Sequence, residues 1–190
     1  MDRLRASDTM APGALRPIIS ASLFAALTAV GAYLFVPIGP VPIVLQNMFV
    51  FLAGLVLGSR WGLASVALYL LAGLCGLPVF AGGTGGLGRL FAQTGGFLLG
   101  YLPAVFLIGV IAERRPGRMR WDVVAMGVGS AVLYACGVPW LKAVTGMPWA
   151  KAASVGMLPF LVGDALKIAA AALIAKAVRP VMNRSNSMAV

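Results

Sequence analysis

The chain contains no histidine. That absence excludes imidazole metal sites, Ser-His triads and histidine general bases. Carboxylates number five, Asp2, Asp8, Glu113, Asp122 and Asp164. Only Asp164 lies deep in an apolar run. One such group without a histidine is thin equipment for acid–base chemistry, so an enzyme is not expected. The two cysteines, Cys75 and Cys136, are too distant in sequence for a metal motif and read as packing residues. No G-x-x-x-x-G-K-[ST] occurs, so the chain hydrolyses no ATP through a P-loop of its own. Nothing in the sequence requires a cofactor. Charge is also scarce: 11% of 190 residues, against about 25% in a soluble domain.

What is present is apolar. Hydrophobic residues make up 61% of the chain, with 24 glycines and 12 prolines. This composition predicts an all-α integral membrane protein with broken or closely packed helices. Residues 1–17 read as a polar, basic, disordered arm. The run 18–36 is long enough to cross ~30 Å of hydrocarbon. It reads as a retained helix rather than a signal peptide, being longer than a usual h-region with no convincing cleavage site after it. Further helices are expected over 43–58, 62–77, 93–112, 123–144 and 158–177. The second and third are short, since ~16 residues rise only ~24 Å, and their ends must be completed by non-helical chain. Residues 145–156 read as a loop and 178–190 as a polar tail.

Three prolines in 37–42 forbid regular helix there, and 80–89 is rich in glycine. Both are expected as non-helical loops, after helices 1 and 3. Six crossings put both termini on one side. Eleven of the fifteen basic residues then share that side, in the N-terminal arm, at Arg60, in 114–120 and near the C terminus. This asymmetry places both termini in the cytoplasm and the two special loops outside, in a multi-pass protein of the cytoplasmic (inner) membrane. It also disposes of nucleic acid as the reason for a net charge of +10.

Asp164 and Lys167 are the only opposite charges within one apolar stretch. Three positions apart on a helix, they share a face. Each costs roughly 2.5–3.5 kcal/mol at the centre of a bilayer helix. They must therefore face each other, a cavity or a polar ligand. A structural ion pair between helices is one reading, and a polar anchor for a small solute is the sharper one.

Gly83-Thr84-Gly85-Gly86-Leu87-Gly88 matches G-x-G-x-x-G but follows an apolar helix rather than a strand, so it is not read as a nucleotide site. These glycines mark either backbone that approaches a ligand closely or a flexible lid. Gln46 and Asn47 open the second helix, and their amides suit either capping or ligand contact. Arg89 meets an anionic group or simply external water. Tyr69, Tyr101 and Tyr134 fit core or interface positions, and Trp61 and Trp140 an interfacial belt. Ala21, Ala25 and Ala29 recur every four residues, with Ser22 and Ala26 on an adjacent row. Small residues at this spacing admit a second helix, from this bundle or from a partner.

Three segments together carry a resemblance. The first is Val41-Pro42-Ile43-Val44-Leu45-Gln46 leading into Phe51-Leu52-Ala53-Gly54-Leu55-Val56-Leu57-Gly58. The second is Gly76-Leu77-Pro78-Val79-Phe80-Ala81-Gly82-Gly83 through Thr94-Gly95-Gly96 and Gly100-Tyr101. The third is Pro159-Phe160 with Gly163-Asp164-Ala165-Leu166-Lys167. Over residues 18–177 the chain resembles the BioY family, the biotin-specific S components of energy-coupling-factor transporters. The resemblance implies a six-helix domain that captures biotin near the outer surface. It also implies a transmembrane T component and a pair of cytoplasmic ATPases as partners.

On this basis the candidate ligand contacts are Asp164, Lys167, Gln46, Asn47, Gly82, Gly83, Thr84, Arg89 and Tyr101. Ala21, Ala25 and Ala29 are the candidate docking row for the T component. Asp164 is expected to accept from the ureido N–H groups and Lys167 to hold a ligand oxygen. Phe80 or Phe91 would cover the thiophane ring. Gln93, Phe97, Val44 and Val162 depart from the family's usual proline, tyrosine, threonine and proline, and no contact is carried over to Phe97. A different vitamin, or a stand-alone facilitator, are the alternatives. The second is weakened by the lack of an internal repeat between 1–95 and 96–190.

Overall fold

A computed structural model describes residues 12–37 and 40–187. In chain order the elements are α1 (Pro12–Tyr33), β1 (Phe35–Val36), β2 (Ile43–Val44), α2 (Gln46–Leu74), α3 (Gly88–Phe91), α4 (Gly95–Arg114), α5 (Met119–Thr145), α6 (Trp149–Gly156) and α7 (Leu158–Ser187). Among the described residues, five helical segments are long and apolar enough to cross a membrane.

α2 takes in both the second and the third expected runs, and it is broken. Gly58 has φ +80° and ψ −173°, a backbone state open essentially to glycine alone. Beyond the break Gly62 lies against the carbonyl of Ala53 and the Cα of Gly54. The second arm of α2 therefore turns back along the first. The turn is tucked onto α4, where a Cβ on Gly109 would fall 2.3 Å from the Ser59 nitrogen.

Three expected boundaries move. Helix begins at Pro12, so 12–17 is not part of a disordered arm; proline suits a first helical position because its missing N–H has no helical partner there. Residues 1–11 lie outside the described residues. At the other end α7 runs to Ser187, past the expected limit at 177. The expected loop 145–156 contains α6, which starts after Pro148 and uses the helix-favouring stretch Trp149-Ala150-Lys151-Ala152-Ala153.

α2 forms the centre, with α1 and α4 packed on it; α5 packs on α4, and α7 closes against α2, α5 and α6. Phe51, Tyr69, Val105, Ile108, Met126 and Leu141 fill the interior. Glycines allow the closest approach between α4 and α5: a Cβ on Gly96 would fall 2.2 Å from Trp140 Cβ. The outer surface is apolar. On α7, Val162 (74% exposed) and Leu166 (69%) point outward while Asp164 and Lys167 are buried. That inversion of a soluble helix is what a lipid-facing bundle requires.

The two expected loops meet at one end of the bundle. Prolines 37–42 sit in a hairpin whose strands pair antiparallel, Phe35 with Val44 and Val36 with Ile43. The glycine segment folds into turns with a bridge between Phe80 and Thr84, followed by the four-residue α3. Tyr33, just before the hairpin, donates its hydroxyl to the Pro78 carbonyl and ties the two together.

Candidate binding site

Beneath these loops lies a cavity of about 310 Å³, within the range of small-ligand sites. The hairpin supplies Pro37, Pro40, Val41 and Pro42, the glycine segment Phe80, Ala81 and Gly82, and α7 Phe160, Asp164 and Lys167. The lining is mainly apolar, with a few convergent polar groups.

Asp164 is the organising group. It is 4% exposed and Lys167 8%. Lys167 Nζ lies 3.1 Å from Asp164 Oδ1. Asn47 Nδ2 donates to the same oxygen at 2.7 Å. Tyr134 donates its hydroxyl to Oδ2. A carboxylate offers about four acceptor sites, and these three donors leave capacity for one more. Lys167 has three donors, so its ammonium likewise retains capacity beyond Asp164.

Four buried side-chain atoms among the described residues have no hydrogen-bond partner: Gln46 Nε2, Asn47 Oδ1, Ser65 Oγ and Ser130 Oγ. Leaving such a group unpaired costs about 1–3 kcal/mol. The first two belong to cavity-lining residues, one donor and one acceptor. Tyr69 donates its hydroxyl to the Val79 carbonyl at 3.1 Å, and its oxygen, which still has lone pairs, faces the Gln46 amide.

Seven of the nine candidate contacts line the cavity: Asp164, Lys167, Gln46, Asn47, Gly82, Arg89 and Tyr101. Gly83 and Thr84 are not part of that lining. Gly83 packs toward the Tyr33 ring, and Thr84 Oγ1 donates to the Ala81 carbonyl at 3.0 Å, bracing the turn. Arg89 is itself bonded to that carbonyl at 3.4 Å. Phe80 is in the wall at 2% exposure, whereas Phe91 is 72% exposed and outside it. Phe97, from which no contact was expected, does line the cavity. Tyr134, expected only at a core or interface position, is a polar member of the site. Trp140, read as a belt residue, donates Nε1 to the Ala92 carbonyl at 3.0 Å and anchors the start of α4.

Within this chain the alanine row turns inward. Ala21 and Ala25 are 5% and 7% exposed, and Ala29 packs half-buried against the core. α1 turns this row toward α2, because small side chains let the two backbones approach; Gly31 lies against Gln46 and Phe49 of α2 in the same contact. The row left outside is Ser22 and Ala26.

The model of the BioY family matches residues 4–184. The chain belongs to the BioY family. The biotin transporter BioY of Thermotoga maritima is 43% identical over 161 residues, covering 85% of this chain and 94% of its own. The probable biotin transporter BioY of Pyrococcus horikoshii is 43% identical over 155 residues, 82% and 91% of the two chains. The biotin transporter BioY of Rhizobium etli is 38% identical over 174 residues, covering 86% of this chain and 92% of its own. Among solved structures, the S-component for biotin from an ECF-type ABC transporter superposes with a TM-score of 0.83 at 28% identity, covering 88% of this chain and 93% of that one. With its apolar helices, this BioY family member is a multi-pass membrane protein.

Proposed function

We propose that this chain captures biotin as the S component of an energy-coupling-factor transporter. One observation carries the reading: a buried carboxylate, held by Asn47, Tyr134 and Lys167, stands in the wall of an otherwise apolar cavity. The names of the BioY relatives and of the solved S-component support the choice of vitamin.

Biotin carries two ureido N–H donors, a ureido carbonyl, an apolar thiophane ring and a carboxylate tail. The remaining acceptor capacity at Asp164 and the unpartnered Asn47 Oδ1 suit the two N–H groups. Lys167 Nζ and Gln46 Nε2 suit the carbonyl oxygen. Phe80, Phe97 and Tyr101 surround the ring. Arg89, half-buried at the glycine segment, suits the tail. Gly82 lets the backbone come close, and Gly83 and Thr84 hold the turn rather than the ligand.

The two arms of α2 act as separate crossings, which makes six and puts both termini in the cytoplasm, in keeping with the distribution of basic residues. A T component and two ATPases supply the energy for uphill uptake. The T component docks on the exposed Ser22–Ala26 row of α1.

Titration of the purified protein in nanodiscs with biotin, desthiobiotin and biotin methyl ester tests the reading. Biotin saturates one site, and riboflavin and thiamine fail to compete. Displacement by either of those would replace the vitamin. Vesicles carrying this chain alone do not accumulate biotin; uphill accumulation without added subunits would make it a stand-alone carrier.

A further inference from the structure

The break at Gly58 carries a second polar assembly, which the cavity does not use. In an unbroken helix the Ser59 N–H would donate to the Leu55 carbonyl. Here it donates to Glu113 Oε1 at 2.6 Å, and Ser59 Oγ lies 3.0 Å from both Glu113 oxygens. The Leu55 carbonyl accepts instead from Arg179, Nη2 at 2.9 Å and Nε at 3.3 Å. Arg179 is clamped in turn by Asp122, Nη1 to Oδ2 at 2.7 Å and Nη2 to Oδ1 at 2.9 Å. A carboxylate thus caps the N-terminal end of the second arm, and a guanidinium caps the C-terminal end of the first. Each charge complements the helix dipole it meets.

The same two helices are joined at both assemblies. Asn47 and Leu55 belong to the first arm of α2, and Asp164 and Arg179 to α7. The two α7 residues are separated by about 22 Å of helix. Between them the fully buried residues of α7 are Ala171, Ala172 and Ala175. These small residues, with Ile168 and Ala170 packed beside them, present a shallow ridge, and the polar contacts at its two ends are the directional restraints on rotation or sliding of α7.

We propose that Arg179 and Asp122 are positioning residues: they tie the end of α7 remote from the cavity to the Gly58 break, and this tie sets the placement of Asp164 in the ligand cavity. The ligand arm of the proposal rests on the biotin reading; the coupling between the two ends of α7 does not. Loosening one tie loosens the other, and by linkage biotin tightens the far one.

Hydrogen exchange on the full chain in nanodiscs, with biotin dissociation measured in parallel, tests this. Arg179→Gln raises exchange at least threefold at 55–62 and also at 160–168, while the α4–α5 contact is unchanged. It speeds biotin dissociation at least threefold. Asp122→Arg/Arg179→Asp restores an ion pair but offers the Leu55 carbonyl no donor from position 179, and it stays loose at both ends. In the wild type, biotin slows exchange at 55–62; this measurement needs no variant to fold. Unchanged exchange at 160–168, a uniform rise across the bundle, wild-type dissociation from Arg179→Gln, or a swap that behaves as wild type would each overturn the proposal. Failure of biotin to bind the wild type would remove the functional reading, and exchange at 160–168 in ligand-free Arg179→Gln would still judge the tie.

Discussion

Asn47 and Asp164, 117 positions apart in sequence, are joined by a 2.7 Å hydrogen bond from amide to carboxylate. The bond crosses from the start of α2 to the start of α7 and fixes both walls of the cavity. It also orients the amide. With Nδ2 committed to Asp164, the unpartnered oxygen is the group left for a donor.

Replacing Asn47 by Ala removes one donor from Asp164 and one acceptor from the cavity. Biotin affinity is expected to fall at least tenfold, which corresponds to about 1.4 kcal/mol. Asn47→Asp is expected to fall further, because it sets a second carboxylate against the first. Calorimetric titration of both variants checks the order. Wild-type affinity in Asn47→Ala would take this amide out of recognition.

The Asp164–Lys167 pair makes a separate prediction about stability. Removing one member of a buried pair leaves the other charge uncompensated, at a cost of about 3–5 kcal/mol. Asp164→Asn and Lys167→Met are therefore each expected to lower the melting temperature more than the double variant does. Biotin binding is lost in all three. Thermal unfolding in detergent, read beside a binding assay, separates the two effects. A double variant less stable than either single one would show that the pair stabilises the fold by itself.

This pair is legible in the sequence because two charges in an apolar run demand a partner whatever the fold. Gln46 and Asn47 are legible because they follow a proline segment that must end before the helix begins. Tyr134 is not, since its hydroxyl reaches Asp164 only through the packing of α5 on α7; a tyrosine in an apolar run looks the same whether it fills the core or completes a polar site. Which row of α1 faces outward is not legible either, for a reason special to membranes. Lipid and protein interior are both apolar, so neither hydrophobicity nor small-residue spacing tells one face from the other. The reversal at Gly58 was legible only as the end of a run, since its positive φ depends on Gly109 and Glu113 far along the chain.

Gly58 gives a graded prediction. A side chain there meets two penalties: a backbone at φ +80° and ψ −173°, costing roughly 1–3 kcal/mol, and a Cβ pressed against Glu113 Oε1. Gly117 also has a positive φ, +74°, but nothing lies within 4 Å, so alanine there meets a backbone penalty and no clash. Gly58→Ala is expected to lower the melting temperature clearly more than Gly117→Ala. Equal shifts would mean that the Glu113 cap yields freely and that the break is held by backbone preference alone.

The two rows of α1 separate folding from assembly. Ala25 is 7% exposed against α2, so leucine there overpacks the contact, a change that costs typically 1–3 kcal/mol. The neighbouring Ala26 is exposed, and leucine there stays outside the bundle, against its own helix face only. Ala25→Leu is therefore expected to lower the melting temperature of the isolated protein. Ala26→Leu should leave melting and biotin affinity unchanged while weakening co-purification with a T component, because a branched side chain holds the two helices apart. Stability is read by thermal unfolding of the isolated chain and assembly by pull-down with the T component and its ATPases. If Ala26→Leu assembles normally while Ala25→Leu melts as the wild type yet fails to assemble, the inward and outward rows are exchanged and α1 is rotated from the orientation described here.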